Sequence, residues 1–229
     1  LELGGSDAFI VLDDADLKNA AKVGANARLQ NCGQTCIAAK RFIIHKKIQK
    51  DFMKIFLAEY QKYIPADPMK KETIIAGMAR PDLAEELLKQ YKKAVKNGAK
   101  IILPLEKIAD GILKPGLIEV QEGNPILLEE LFGPLGMIMI AKNDENALKM
   151  ANDIPFGLAN SVWTSNRKRL EYFTKNLESG TVSINKMTGS VPNLPFGGMK
   201  KSGYGTELSY HTLHEFVTVK TVVGNFKLN

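Results

Sequence analysis

Residues 7–44 read DAFIVLDDADLKNAAKVGANARLQNCGQTCIAAKRFII, and this stretch decides the fold class. Phe9-Ile10-Val11-Leu12 is a short apolar run with Asp7 before it and Asp13, Asp14 and Asp16 after it. That is the pattern of a buried strand running into a helix N-terminus, where carboxylates complement the helix dipole. The Ala-rich segment from Leu17 to Leu29 supplies the helix, and Gly33 beyond it permits an abrupt change of backbone direction. Arg41-Phe42-Ile43-Ile44 reads as the next strand. Strand, helix and strand in this order make a βαβ unit, whose strands pair in parallel.

The alternation continues along the chain. Ile48, Phe52, Ile55 and Phe56 recur at helical spacing. A second amphipathic helix is predicted from Pro81, with Leu83, Leu87, Leu88 and Tyr91 on one face and a stop at Asn97-Gly98. Strands follow at Ile101–Leu103, Leu117–Val120 and Leu135–Ile140. Then come a helix over Asp144–Asn152, a strand over Ser161–Trp163, a helix over Arg167–Leu177 and a strand over Thr181–Ile184. The order predicts an α/β fold, a mainly parallel sheet with helices on both faces. Residues 192–205 are rich in Gly, Pro and Lys and read as a long loop, a feature that in compact domains is usually functional. The tail from Phe216 to Val223 is strongly β-prone, with no later segment to cover it, and predicts a strand used between subunits. The expected division is a thiol-bearing domain over residues 1–209 and a C-terminal oligomerisation strand over 210–229.

Composition excludes several classes. A chain of 229 residues makes one large domain or two small ones and buries enough surface to fold without disulfides or a structural metal. Hydrophobic residues at 45% and charged residues at 24% exclude global disorder. The longest nearly uncharged apolar run, Leu131–Ala141, falls well short of the ~18 residues of a membrane span. Two cysteines and three scattered histidines give neither a disulfide framework nor zinc spacing, so no metal is expected and the setting is read as cytoplasmic. The net charge of +6 raises nucleic acid as a partner, yet only five of the 31 basic residues are Arg and the lysines are scattered, which argues against it. The chain opens at Leu1 with neither an initiator Met nor a signal-peptide pattern, so it is read as a piece of a longer protein.

Four segments could carry chemistry. Cys36 sits at a helix-to-strand junction behind Gly33 and Gln34, where backbone amides favour a thiolate and cradle an oxyanion; a free Cys can equally be a small buried hydrophobe. Glu2 precedes Leu3-Gly4-Gly5, whose glycines let a carboxylate approach another group as a general base, or it is simply solvated. In Glu129-Glu130-Leu131-Phe132-Gly133-Pro134 an acid can accept from ribose hydroxyls and an aromatic can wall a flat ring, unless this is only a charged turn. The glycines between Pro195 and Glu207 lack the flanking strand and helix of a dinucleotide fingerprint.

Taken jointly, Glu2-Leu3-Gly4-Gly5, Asn31-Cys32-Gly33-Gln34-Thr35-Cys36, Glu130-Leu131-Phe132-Gly133-Pro134 and Pro195–Glu207, in this order and spacing, resemble the aldehyde dehydrogenase superfamily over essentially the whole chain. The opening residues, Ala38–Ile44 and His214-Glu215-Phe216 look like its bacterial succinate-semialdehyde dehydrogenase branch. The resemblance implies that Cys36 is the catalytic thiol and Glu2 the general base, and that Glu130 and Phe132 hold the nicotinamide ribose and ring of NAD or NADP. It gives Glu207 a proton-relay role and places Asn185 near the site. It further implies a small-molecule aldehyde substrate, a homodimer or homotetramer, and a dinucleotide-binding domain mostly upstream of Leu1. Gln30 departs from the Arg that some succinate-semialdehyde enzymes carry for the substrate carboxylate, while Arg28 lies close by. Cys32 is a candidate oxidation partner of Cys36, provided the segment bends. The rival reading is a structural or oligomerisation fragment whose motifs are idle.

Overall fold

The structure is a computed structural model that describes residues 1–225. The predicted βαβ unit is present as β1 (Asp7–Val11), α1 (Leu17–Leu29) and β2 (Ala39–His45), with β1 and β2 parallel. Asp16 caps α1 by accepting a hydrogen bond from the Asn19 N–H at 3.1 Å. The chain then builds α2 (Gln49–Tyr60), α3 (Pro81–Lys96), β3 (Lys100–Leu103), a β4–β5 hairpin (Glu106–Ala109 and Ile112–Lys114) and β6 (Gly116–Glu119). The last part adds β7 (Leu135–Ala141), α4 (Asp144–Asn152), β8 (Phe156–Gly157), β9 (Ala159–Trp163), α5 (Arg167–Asn176), β10 (Thr181–Ile184) and β11 (Met199–Lys200).

Seven strands form one sheet in the order β10-β9-β1-β2-β7-β6-β3. All pairs are parallel except the edge pair of β3 and β6. Both faces are covered, which is why the central strands read as unbroken apolar runs. Phe9, Val11, Phe42, Ile44, Ile138 and Trp163 point to α1 and α2. Ile10, Ile43, Met137, Met139 and Val162, one residue out of phase, point to α3, α4 and α5. On the first face an aromatic chain fills the core: Phe42 and Phe56 have ring centroids 4.7 Å apart, and Phe9 stacks 5.3 Å from Trp163. Small residues let α1 sit close to the sheet, since a Cβ on Gly24 would lie 3.1 Å from the Phe42 ring.

The tail, expected as a strand between subunits, forms no strand pairing within its own chain among the described residues. His211–Phe216 is a short 3-10 helix, and residues 217–225 form no strand within this chain; Val219 and Val223 are almost wholly exposed. A strand requires an edge to pair with, and among the described residues of this chain none meets the tail. The last four positions of the expected 210–229 segment lie outside the described residues. No helix among the described residues is long and apolar enough to cross a membrane.

The segments singled out for chemistry lie at one edge of the sheet. Glu2–Gly5 precedes β1, Cys36 precedes β2, and Glu130–Pro134 precedes β7. Because these strands are parallel, the segments gather at the amino-terminal edge, opposite the carboxyl edge at which open α/β sheets commonly bind ligands.

Candidate active site

The turn that delivers Cys36 is held by its backbone conformation and by one cation. Asn31, Cys32 and Gly33 have φ of 51°, 55° and 72°, three consecutive left-handed residues. The Asn31 amide donates to the Gln34 carbonyl at 2.9 Å, and the Gln34 amide donates back to the Asn31 carbonyl at 3.2 Å. Arg28, from the last turn of α1, is fully buried and donates through one nitrogen to the carbonyls of Gly33 (2.6 Å), Leu131 (3.2 Å) and Gly133 (2.6 Å). Only glycine fits at position 33, where a Cβ would overlap both Arg28 and the Gly133 carbonyl. Arg28 therefore staples the Cys36 turn to the Glu130–Pro134 loop from the interior. It does not reach out to a substrate.

Cys36 is half-buried and packs against Leu158, Ala159 and Phe196. Burial pushes its thiol above the ordinary value, while the Lys40 ammonium and the Ile37 N–H pull it down and Asp7 and Glu2 add to the upward push. Glu2 thus lies within electrostatic reach of the thiol. Cys32 is buried, its thiol pushed up to about 11 by burial against a smaller pull from Arg28, which makes it a poor nucleophile.

Glu2 is exposed at the mouth of an open cleft of about 310 Å³ that it lines with Leu1, Phe196, Gly205, Thr206 and Glu207. Partial burial and the neighbouring Glu207, which hydrogen-bonds its carboxyl, hold its pKa above the usual carboxylate value. The loop after β11 builds this wall, with the Leu3 N–H donating to the Ser202 carbonyl at 2.9 Å and the Leu1 amine to the Tyr204 carbonyl at 2.7 Å. Glu207 and Phe196 exchange backbone hydrogen bonds in a two-residue bridge, which fixes the Glu2–Glu207 pair to the wall beside Cys36.

Glu130 is drawn in against the Gly4-Gly5 turn. Its Oε1 accepts from the Gly5 N–H at 3.2 Å and from Lys40 Nζ at 3.1 Å, while its Oε2 lies over Gly4, whose φ of 111° and missing Cβ make the approach possible. Phe132 is 41% exposed, an aromatic ring left largely open to solvent. Asn185 stands apart from this cluster. Its side-chain amide pairs with both polar groups of the Thr164 backbone at 3.0 Å, at the far end of β10.

Sequence reading missed the buried charges behind these groups. Lys40, Arg41 and Asp7 are all buried in strands. Arg41 donates to the carbonyls of Ser6 (2.7 Å), Met150 (2.6 Å) and Ala151 (2.9 Å). Asp7 Oδ1 accepts from the Ala159 N–H at 3.1 Å, and burial pushes its carboxyl up to about 7 against the pull of Lys40. The signal available was a Lys-Arg pair directly preceding an apolar strand. Among the described residues no group of three or more His, Cys, Asp and Glu is placed to hold a metal ion.

Comparison with known proteins bears on the whole chain. The Aldehyde dehydrogenase family matches residues 1–222. The succinate semialdehyde dehydrogenase Sad of Escherichia coli, named for NAD(P)+, is 44% identical over 97% of this chain and 49% of its own length. The succinate-semialdehyde dehydrogenase of Mycobacterium leprae, named for NADP(+), is 39% identical over 97% of this chain and 49% of its own. The crystal structure of succinic semialdehyde dehydrogenase from Streptococcus pyogenes in complex with NADP+ superimposes with a TM-score of 0.93 at 37% identity, covering 98% of this chain and 50% of that one. The chain spans about half the length of the relatives it matches. With a family match over residues 1–222, relatives about 40% identical over nearly all of its length and the same parallel-sheet fold, the chain belongs to the aldehyde dehydrogenase family.

Proposed function

We propose that this chain is the thiol-bearing half of an enzyme that oxidises an aldehyde, succinate semialdehyde foremost, to its carboxylate with NAD or NADP. The observation that carries the reading is the gathering of Cys36, the Glu2–Glu207 pair and the Glu130 carboxylate at one edge of the sheet. The choice of aldehyde rests on the succinate-semialdehyde names of the relatives.

Cys36 attacks the aldehyde carbon as thiolate, and the oxyanion of the resulting thiohemiacetal faces the Cys36 N–H. The residues present fit the nicotinamide end of a dinucleotide. Glu130 keeps Oε2 free of hydrogen bonds among the described residues and so has an acceptor for ribose hydroxyls, and Phe132 offers an open ring face. A bound nicotinamide would supply the hydride acceptor there, and loss of hydride from the thiohemiacetal would leave a thioester on Cys36. Glu2, its proton affinity raised beside Glu207, takes a proton from the water that hydrolyses the thioester, and Glu207 passes that proton to solvent. The surface for adenosine and pyrophosphate is assigned to the part of the protein beyond these residues.

The test uses an ester, which needs no hydride acceptor. The 229-residue chain is mixed with p-nitrophenyl acetate and its peptides are weighed. The acetyl group is expected on Cys36, absent in Cys36→Ala and retained in Cys32→Ala. Glu2→Gln is expected to acylate normally and to deacylate at least tenfold more slowly, on the scale of a general base worth ~10²–10⁴-fold. Acetyl on Cys32, or none on Cys36, refutes the assignment.

A further inference from the structure

Lys40 is the most deeply buried cation next to the thiol, and neither the family match nor the proposed chemistry uses it. It follows Cys36 by four residues, at the start of β2, and its side chain is wholly shielded from solvent. Its ammonium has three donors, and each has one acceptor: the Thr35 carbonyl at 2.9 Å, the Cys36 carbonyl at 2.5 Å and Glu130 Oε1 at 3.1 Å. Two of the three are the carbonyls of the peptide units on either side of Cys36. Asp7, the other buried carboxylate nearby, forms no ion pair with it within 4 Å; its bond goes instead to the Ala159 N–H. Lys40 is thus directed at the thiol's own backbone rather than at the neighbouring acid.

The consequence follows from peptide geometry. Across a trans peptide the C=O and N–H point in opposite directions, and no cis peptide occurs among the described residues. Drawing the Thr35 carbonyl toward Lys40 turns the Cys36 N–H away from it, and drawing the Cys36 carbonyl inward does the same for the Ile37 N–H. The Ile37 N–H indeed faces the Cys36 sulfur. A further bond, from the Ala38 N–H to the Thr35 carbonyl at 3.1 Å, closes this turn. The third contact of Lys40 joins the same ammonium to Glu130, and Glu130 is in turn held by the Gly5 N–H next to the Glu2 segment.

We propose that Lys40 is a positioning residue for Cys36: its buried ammonium grips the carbonyls on both sides of Cys36 together with the Glu130 carboxylate. This grip aims the Cys36 and Ile37 N–H groups at the reacting atoms. The proposal rests on Cys36 being the nucleophile, and it adds a device that sets oxyanion donors and dinucleotide-facing carboxylate against one another through a single group. The charged groups facing the thiol are Lys40 from β2, Asp7 from β1 and Glu2 from the segment before it. Arg28 from α1 and Glu130 face Lys40 in addition.

The experiment follows alkylation of the 229-residue chain by iodoacetamide across pH, reading the Cys36 peptide by mass so that Cys32 does not contribute. Acyl transfer from p-nitrophenyl acetate is measured in parallel. Lys40→Met is expected to raise the alkylation midpoint and slow labelling at about pH 8 by roughly tenfold, the equivalent of one pKa unit. Its acyl transfer should fall further, by ~10²-fold, because an oxyanion donor loses its aim. Lys40→Arg keeps the charge but not the three contacts, so its midpoint should stay near that of the parent while acyl transfer falls. Asp7→Asn, nearly isosteric and folded by the Trp163 emission that also checks the other variants, should move the midpoint down and speed labelling. Mere loosening of the core would move Lys40→Met and Asp7→Asn in the same direction, and that outcome overturns the proposal. So does Lys40→Met with labelling and acyl transfer both unchanged. Opposite midpoint shifts in a chain whose Cys36 never becomes acylated would support the grip of Lys40 while removing the catalytic reading of Cys36.

Discussion

Replacing Arg28 with Met separates a buried staple from a substrate-reading cation. The guanidinium is fully buried, and its NH2 group is the shared donor for the Gly33, Leu131 and Gly133 carbonyls. The Gly133 carbonyl keeps a second partner in the Leu135 N–H at 2.8 Å, whereas no other hydrogen bond to the Gly33 and Leu131 carbonyls occurs among the described residues. Two carbonyls are therefore orphaned by the substitution, at ~1–3 kcal/mol each. Against this, Met removes a cation whose Nε and NH1 are buried without partners, and that relief offsets part of the loss. The net expectation is a destabilisation of about 3 kcal/mol, the lower end of what breaking a buried charged contact costs.

Urea unfolding followed by the emission of Trp163, the single tryptophan and a core residue, reads this directly. With a slope of ~3 kcal/mol per molar, a loss of that size lowers the midpoint by about 1 M. Arg28→Lys should fall between the two, since a single ammonium cannot reproduce the planar fork. A midpoint that stays put while the Michaelis constant for succinate semialdehyde rises in the full enzyme would refute the staple. It would place Arg28 in the cleft, on the substrate carboxylate.

Two further outcomes are expected. Gly4→Ala puts a Cβ into Glu130 Oε2 at a φ of 111°, so it should cost ~2 kcal/mol, and part of that loss should vanish in a Glu130→Ala background; a double-mutant cycle in urea checks the coupling. Arg169 joins Asp13 and Asp14 (both 2.7 Å) to Asp144 (2.5 Å), and the bonds from Lys47 and Arg169 hold the Asp13 carboxyl at about 2 despite partial burial. A depressed folded-state pKa stabilises above the unfolded value of about 4 and is lost as pH falls toward 2, so Arg169→Met should cost ~1–3 kcal/mol near neutrality and flatten the acid limb of the melting-temperature profile.

What the sequence made legible were the elements with local punctuation. Helix α1 keeps its predicted bounds because Asp16 caps it and its Ala-rich face fits the sheet, and α4 does so because the Asn143 side chain accepts from the Asn146 N–H at 2.9 Å. The β4–β5 hairpin was invisible: β4 is exposed throughout, so its side chains carry no inward-outward alternation. The candidate residues themselves were identifiable from spacing, but their partners were not. Glu130 meets Gly5 across 125 positions and Arg28 meets Gly133 across 105, distances over which no periodicity speaks. Lys40 and Asp7 were hidden for another reason. Charged residues are almost never fully buried, so the Lys-Arg pair before the apolar run reads as a solvated lead-in. It becomes interior only because neighbouring turns supply carbonyls.

Those carbonyls explain why this edge of the sheet is cationic at all. Helices α1, α4 and α5 each run back from the carboxyl edge and end at the amino edge, so the negative ends of their dipoles and their unpaired last carbonyls collect there. The basic side chains of the edge answer them one by one. Arg41 takes the Met150 and Ala151 carbonyls at the end of α4, Lys200 takes the Asn152 carbonyl at 2.7 Å, and Arg28 and Lys40 take those of the turn that follows α1. Helix α3 is the exception: it leads into the antiparallel β3, so its N-terminus comes to this edge, where the Ala79 N–H just before it donates to the Gln34 side chain at 2.9 Å. Under the proposed reaction this edge faces the substrate and the nicotinamide end of the dinucleotide. In that reaction the thiol edge meets the ribose and nicotinamide ring through Glu130 and Phe132, and the upward push of burial on the Cys36 thiol, joined by Asp7 and Glu2, is opposed there by the downward pull of Lys40 and the Ile37 N–H.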